Sequence, residues 1–438
     1  MRYRDAAQYL LGTINETASR RNPSRLERME AFLAHLGNPH RAYPTIHVGG
    51  TSGKGSTATM MATALGESGK RTGLHTKPHL SSMTERARID GLAISEHDFG
   101  ELLGDMMPAI EATSREFGRP SYYESLLALA FVYFERERVD VAVIEVGVGG
   151  TLDGTNLIVP VLSVITNVGL DHMDVLGNTV EEIAADKAGI AKGGVTLVSD
   201  AMGPARAIIA AACAAAGAPF IAVDDVATIE ARAGERYGQS FAVRTDAHVY
   251  ELALPVLGRF QQRNAATAIA ALERLPASLR PAPGAVERGF AQLVIPGRME
   301  FFPGFPGIVF DVAHNADKAS SLASALAETF PDRRFAFVVA IALTKDAVGI
   351  LRPFFALPAT FTFTSFETPG RVAERPRRLA TIAELAGVAA RTISDPIEAL
   401  AVARRQADGS HIVVVTGSTF VAGELRDWWL ANVVESRR

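Results

Sequence analysis

Short runs rich in Val and Ile alternate along this chain with longer stretches in which apolar positions recur every three or four residues. Continuous apolar runs are what strands buried on both faces produce, and the longer period marks helices packed by one side. Candidate strands cover residues 45–49, 139–145, 163–166, 195–199, 308–311, 335–341, 361–365 and 412–416, with helical patterns filling most of the gaps. Strand and helix in alternation predict an α/β chain whose parallel sheets are covered by helices. An alanine-rich helix is expected over residues 264–275, followed by a proline-rich connection at 276–283 and the segment LVIPGRME at 293–300, after which a second strand and helix series begins.

Length turns this pattern into two domains. At 438 residues the chain exceeds the roughly 250 to 300 that one core supports. The expected division falls near Pro296, giving a domain over 1–296 and a smaller one over 297–438, and no repeat of solenoid period is present. The uncharged stretch 207–223 is mostly alanine and is interrupted by Gly217 and Pro219, so it suits a helix, a turn and a strand rather than a bilayer span. The first residues carry Arg2, Arg4 and Asp5 with no apolar run behind them, unlike a signal peptide.

Composition narrows the class. Hydrophobic residues make up 48% and charged ones 21%, values of an ordinary globular protein. A net charge of −4 leaves no basic footprint for a polynucleotide, so small molecules are the expected partners, with neither nucleic acid nor membrane among them. The single cysteine, Cys213, lies in an alanine run and is expected as a small buried hydrophobe, which suits a reducing cytoplasm.

Five motifs carry chemistry. Gly50-Thr51-Ser52-Gly53-Lys54-Gly55-Ser56-Thr57 follows an extended TIHV run and opens a helical pattern. Glycines let backbone N–H groups close around phosphate oxygens, the lysine adds charge and the helix N-terminus adds donors. The motif departs from G-x-x-x-x-G-K-[ST], with Val48 at the first glycine position and Gly55 between Lys54 and Ser56. Glu145, at the carboxyl end of VDVAVIE, begins the glycine-rich stretch EVGVGGTLDGTN, and an acid there projects into the crevice where open α/β sheets bind ligands. Asn167-Val168-Gly169-Leu170-Asp171-His172 again follows an apolar strand directly, so it leaves the sheet at the same edge. Asp186-Lys187-Ala188-Gly189-Ile190 ends a helical pattern, and Asp311-Val312-Ala313-His314-Asn315 follows a strand of the second domain. Each has a structural alternative: a satisfied carboxylate for Glu145, a structural histidine for His172, a solvated lysine for Lys187 and an Asx turn for Asp311.

Together these stretches resemble the folylpolyglutamate synthase and dihydrofolate synthase family, a branch of the Mur ligase superfamily. The likeness runs from about Tyr9 to Trp428 and is carried by LGNPHRAYPTIHVGGTSGKGST, YYESLLALAFVYF, IEVGVGGTLDGTN, SVITNVGLDHMDVLGNTVEEIAADKAGI, QQRNAATAIAAL, PGRME and DVAHN. The resemblance implies a P-loop-type parallel-sheet ATPase domain followed by a smaller Rossmann-like domain that binds an amino acid. It implies a monomeric ligase that joins an amino acid, L-glutamate in the family, to a folate or pteroate carboxylate through an acyl phosphate, releasing ADP and phosphate. It also implies Mg²⁺ held by Glu145 and His172 with Ser56, a carbamylated Lys187, nucleotide contacts from residues 50–57, Asn264, Arg298 and Asp311, and His314 near the phosphates. An acceptor pocket lined by Ser121, Tyr122, Tyr123, Glu124, Leu152, Asp153 and Gly154 follows from the same likeness.

Three positions depart from the family pattern. Its S-P-H-L loop, whose serine helps hold Mg²⁺, reads Thr76-Lys77-Pro78-His79-Leu80 here, so Thr76 or Ser56 takes over or the Lys77 charge replaces part of a metal contact. Its G-G-R-L-D-A-T-N loop has Thr151 for the arginine and Gly154 for the alanine. Losing a planar five-donor cation alters anion binding in the acceptor pocket. Two further readings stand beside the folate ligase: a paralogue performing the same chemistry on a non-folate acid, and a P-loop ATPase switch that forms no new bond.

Overall fold

The computed structural model describes residues 1–14, 24–232, 238–368 and 370–434. The chain forms two compact units, one of Met1–Gly234, Ser240–Leu254 and Phe260–Leu293, the other of Glu235–Gln239, Pro255–Arg259 and Val294–Arg438.

In the first unit, an eight-stranded sheet is built from β1 (Thr45–Gly49), β2 (Thr72–His75), β3 (Arg88–Ile89), β4 (Leu92–Ala93), β5 (Val141–Glu145), β6 (Leu162–Ile165), β7 (Leu197–Ser199) and β8 (Phe220–Ala222). Its order is β4-β3-β2-β5-β1-β6-β7-β8. β1 pairs in parallel with β5 on one side and β6 on the other, with Val48 level with Glu145. Chain progress reverses direction across β1, since β2 lies on its β5 side and β6 on the other. Loops leaving the carboxyl ends of β1, β5 and β6 therefore diverge and leave a crevice there. Ala142 and Ile144 of β5 enter one core with Phe131 and Phe134, while Val141 and Val143, which point to the opposite face, are fully buried as well. Burial on both faces explains why β5 reads as a continuous apolar run.

The helix Lys54–Glu67 follows β1 and packs against the helices Phe260–Leu272 and Pro283–Ala291. The alanine-rich helix thus starts and ends earlier than the expected 264–275, because its start is set by packing and no capping signal marks it. A three-stranded sheet of β9 (Ala227–Ala231), β10 (Gln239–Thr245) and β11 (Val249–Leu254) completes this unit's strands. The alanine stretch resolves as expected into the helix Gly203–Ala216, a left-handed Gly217 and β8, with Cys213 buried.

The second unit holds a six-stranded sheet of β12 (Glu300–Phe302), β13 (Gly307–Phe310), β14 (Arg334–Val339), β15 (Ala359–Phe363), β16 (Ala390–Thr392) and β17 (His411–Thr416), ordered β12-β13-β17-β14-β15-β16. β12 is antiparallel and the rest are parallel. Side chains alternate as pleating requires: Phe335, Phe337 and Val339 face one core, Ala336 and Val338 the other. Among the described residues no helix is long and apolar enough to cross a membrane.

Candidate active site

The phosphate-type loop is held open by its neighbours. Gly50 has φ 134° and Gly53 φ 81°, and a Cβ at Gly53 would collide with the Asn264 side-chain amide, so neither position accepts a side chain without strain. Thr51 N–H donates to Asn167 O at 2.8 Å, Ser52 N–H to Asn167 Oδ1 at 2.8 Å, and Thr166 Oγ1 to Ser52 O at 2.6 Å. The turn after β6 therefore shapes the loop after β1. Lys54 folds its ammonium back onto Gly50 O (2.9 Å) and Thr51 O (3.1 Å) at the start of a helix whose first N–H groups have no intrahelical acceptor.

Lys187 is no surface residue. It is 3% exposed and donates to the same Gly50 carbonyl at 2.9 Å. Burial, then the charge of Lys54, pulls its amine down to about 7, with Asp186 and Asp171 opposing. Glu145, also 3% exposed, accepts from Lys77 N–H at 2.9 Å through Oε2 and lies against Gly55, where a Cβ would meet that oxygen at 3.3 Å. Among the described residues the other carboxylate oxygen, Oε1, accepts no hydrogen bond, and the hydroxyl of Ser56, the residue after Gly55, has no partner either. A carboxylate oxygen and a hydroxyl without partners are hard oxygen donors of the kind Mg²⁺ takes. His172 sits in left-handed backbone (φ 51°), its N–H held by Asp171 Oδ1 at 3.0 Å, on the turn whose Asp171 acts on Lys187.

The residues expected to line the acceptor pocket divide. Ser121 and Glu124 form a reciprocal cap on the helix Tyr122–Arg136, and Glu124 is paired through both oxygens with Arg28 at 2.9 and 3.0 Å. Asp153 is buried and accepts from Tyr123 OH, Val148 N–H, Thr155 N–H and Thr155 Oγ1 at 2.6 to 3.0 Å. These carboxylates and the Ser121 hydroxyl already have partners, and Tyr123 spends its hydroxyl on Asp153. Tyr122 and Leu152 are partly exposed, as is Gly154. Thr151, at the family's arginine position, ties its loop to the Lys187 helix through N–H and Oγ1 bonds to Asp186 O at 3.0 and 2.9 Å.

Sequence reasoning missed Arg86 and His79. Arg86 is 8% exposed, donates through Nε to His79 Nδ1 at 3.1 Å and lies within electrostatic reach of Tyr122, Tyr123 and Glu145. Burial and Arg86 push His79 down to about 4, so its ring accepts. The signal was present in the run TERARIDG, but nothing local distinguishes its arginines: Arg88 pairs with Glu85. Gln261, which holds Asn264 through a 2.8 Å bond, was also missed.

In the second unit Asp311 follows β13 and accepts from Met299 N–H (2.9 Å) and Ala313 N–H (2.8 Å), the Asx-turn geometry held open as the alternative. Burial raises its carboxyl, and Arg298 is the largest opposing charge. His314 Nδ1 donates to Val312 O and Nε2 accepts from Lys318 at 3.3 Å, an arrangement that burial and Lys318 favour by lowering the ring to about 3. Asn315 caps the following helix.

Residues 48–272 match the Mur ligase middle domain, and residues 297–419 match the Mur ligase glutamate ligase domain. The chain is similar to the dihydrofolate synthase/folylpolyglutamate synthase of Bacillus subtilis, 31% identical over 97% of this chain and 98% of that protein. Among solved structures it is similar to Mycobacterium tuberculosis folylpolyglutamate synthase complexed with ADP, with a TM-score of 0.87, 32% identity and coverage of 98% and 99% of the two chains. It is also similar to E. coli FolC in complex with DHPP and ADP, with a TM-score of 0.85, 25% identity and coverage of 100% and 99%.

Proposed function

The chain belongs to the Mur ligase family, as an ATP-dependent ligase of its folylpolyglutamate and dihydrofolate synthase branch, and from that premise we propose that it joins L-glutamate to a folate-type carboxylate. The observation that carries this reading is the meeting of Lys54 and Lys187 on one carbonyl, Gly50 O, with Glu145 against the first turn of the same helix.

A carboxylate resists attack by an amine until one oxygen becomes a phosphate leaving group. In this reading residues 50–57 hold the phosphates of ATP, and Lys54 leaves its two carbonyls to follow the charge that moves to the leaving ADP. The acid's oxygen attacks the γ-phosphorus, the bond to ADP breaks, and the resulting acyl phosphate is attacked by the amino acid's amine. Loss of phosphate and a proton leaves an amide. Glu145, Ser56 and His172 would hold Mg²⁺, which supplies charge neutralisation during phosphoryl transfer. The Lys187 amine, neutral for much of the time near pH 7, is suited to take up CO₂ as a carbamate and so become an anion. Asn264, Arg298 and Asp311 are assigned to the nucleotide and His314 to the phosphates. Of the acceptor set, Tyr122, Leu152 and Gly154 keep that role, with Ser121, Tyr123, Glu124 and Asp153 shaping the pocket from behind.

A non-folate acid is the second reading. Thr151 supports it, because its short side chain is committed to Asp186 O where the family pattern has an arginine. Purified chain with ATP and Mg²⁺ decides between them. ADP should appear only when L-glutamate and a pteroate or folate are both present, with a product heavier than the acid by one glutamyl residue. Turnover of another acid with both pterins inert selects the second reading, and ADP release indifferent to acid and amine rejects ligation.

A further inference from the structure

Lys77 presents a feature the reaction scheme leaves unused. It follows β2 at the sheet edge from which Glu145 also emerges, and its backbone N–H, not its side chain, is what holds Glu145 at 2.9 Å. Lys54 and Lys187 rest their ammonium groups on loop carbonyls. Among the described residues the Lys77 ammonium has no hydrogen bond and no ion pair, although it is half-buried and feels the charges of Lys54, Glu145 and Asp153. Both oxygens of Asp153 already accept hydrogen bonds, three on Oδ1 and one on Oδ2, whereas Glu145 keeps an oxygen that accepts none. Lys54 acts on both Lys77 and Lys187, whose charges are opposed by Glu145 and Asp153 on the Lys77 side and by Asp186 and Asp171 on the Lys187 side. A half-buried ammonium that makes no hydrogen bond or ion pair is costly until an anion joins it.

Resting on the nucleotide reading above, we propose that Lys77 is a second phosphate-binding lysine, whose ammonium pairs directly with a phosphate of the bound nucleotide and makes binding less dependent on a divalent cation. The phosphate loop brings the nucleotide's phosphates to the place where Lys54 and Glu145 lie, and a lysine binds phosphate as a compact point charge. The side chain acts on the nucleotide while the N–H keeps positioning Glu145. Substitution at residue 77 separates the two, since any residue but proline keeps the N–H.

Calorimetric titration of ADP, in Mg²⁺ buffer and in EDTA, tests this on the wild type and on Lys77→Met, Lys77→Ser and Lys77→Arg, with circular dichroism verifying the fold. Wild type should keep measurable ADP affinity in EDTA. Lys77→Met and Lys77→Ser should weaken it there by about tenfold, with a smaller loss in Mg²⁺, and flatten its dependence on salt. Lys77→Arg should retain it. Equal affinities for wild type and Lys77→Met in EDTA overturn the proposal while leaving the nucleotide reading standing. Absence of ADP binding by wild type in both buffers removes that reading and the proposal with it. Should Lys77→Met fail to fold, the comparison of Lys77→Ser with Lys77→Arg carries the same decision.

Discussion

A lysine as deeply buried as Lys187 holds its proton poorly, because little water is left to solvate the ammonium. The unfolded chain keeps that proton to about pH 10.4, whereas the folded chain releases it near 7. Burying Lys187 therefore costs stability at and below pH 7, and the cost fades as pH rises toward 10. In CO₂-free buffer Lys187→Met should gain on wild type by on the order of 4 kcal/mol at pH 6, the gap closing toward pH 10. Urea melts across that range measure it, and a gap independent of pH contradicts the assignment. The neutral amine is also the form that reacts with CO₂. A carbamate signal in ¹³C spectra with labelled bicarbonate should grow between pH 6.5 and 8.5 in wild type and be missing in Lys187→Met. Glu124 behaves differently, since its two oxygens are occupied by Arg28. Removing one partner of a buried pair costs about 3 to 5 kcal/mol, so Glu124→Gln should lower the urea midpoint while the KM for the acid changes less than twofold. A large rise in KM at unchanged stability would restore Glu124 to the acceptor's direct contacts.

Elements differ in how much of themselves they declare. All eight expected strands are found, within a few residues, because each is largely buried on both faces and most therefore read as apolar runs. The strands not foreseen are short, exposed or at edges. β3 and β4 have two residues each, and their turn, Asp90-Gly91 with φ 50° and 80°, is the dipeptide expected of a type I′ hairpin. The flanking strands were too short for alternation to register. β11 alternates in burial, and β9 to β11 carry Glu230, Arg244 and Glu251 in surface ion pairs, which dilute the apolar signal. Site residues follow the same logic. Lys54 and Glu145 announce themselves by position after a strand, while Arg86 depends on a fold that buries one arginine of two. The loop at Gly53 shows how much an element's shape rests on one residue. Gly53→Ala meets both an unfavourable φ and the Asn264 amide, and should destabilise by about 1 to 3 kcal/mol. Adding Asn264→Ala should return part of that loss, and strict additivity of the two changes in denaturant melts would mean the contact is absent.

At the scale of the whole molecule, two units with their own cores make a single melting temperature an incomplete description. The sequence supplies a means of separating them. Its two tryptophans, Trp428 and Trp429, both lie in the second unit, whereas the phosphate loop lies in the first. Tryptophan fluorescence therefore follows one unit and far-ultraviolet dichroism follows both. A ligand that binds only folded protein adds stability according to its saturation, about 2.7 kcal/mol at one hundred times its Kd. ADP at that excess, with Mg²⁺, should raise the dichroism transition of the first unit in wild type and leave it unmoved in Lys54→Ala at the same concentration. Without nucleotide, Lys54→Ala should leave the fluorescence transition where it is in wild type, because the carbonyls on which the Lys54 ammonium rests belong to its own loop in the first unit. A Lys54→Ala chain that ADP still protects in full contradicts the assignment of phosphate binding to residues 50–57. A fluorescence transition displaced by the substitution alone would instead locate its effect in folding rather than in the nucleotide.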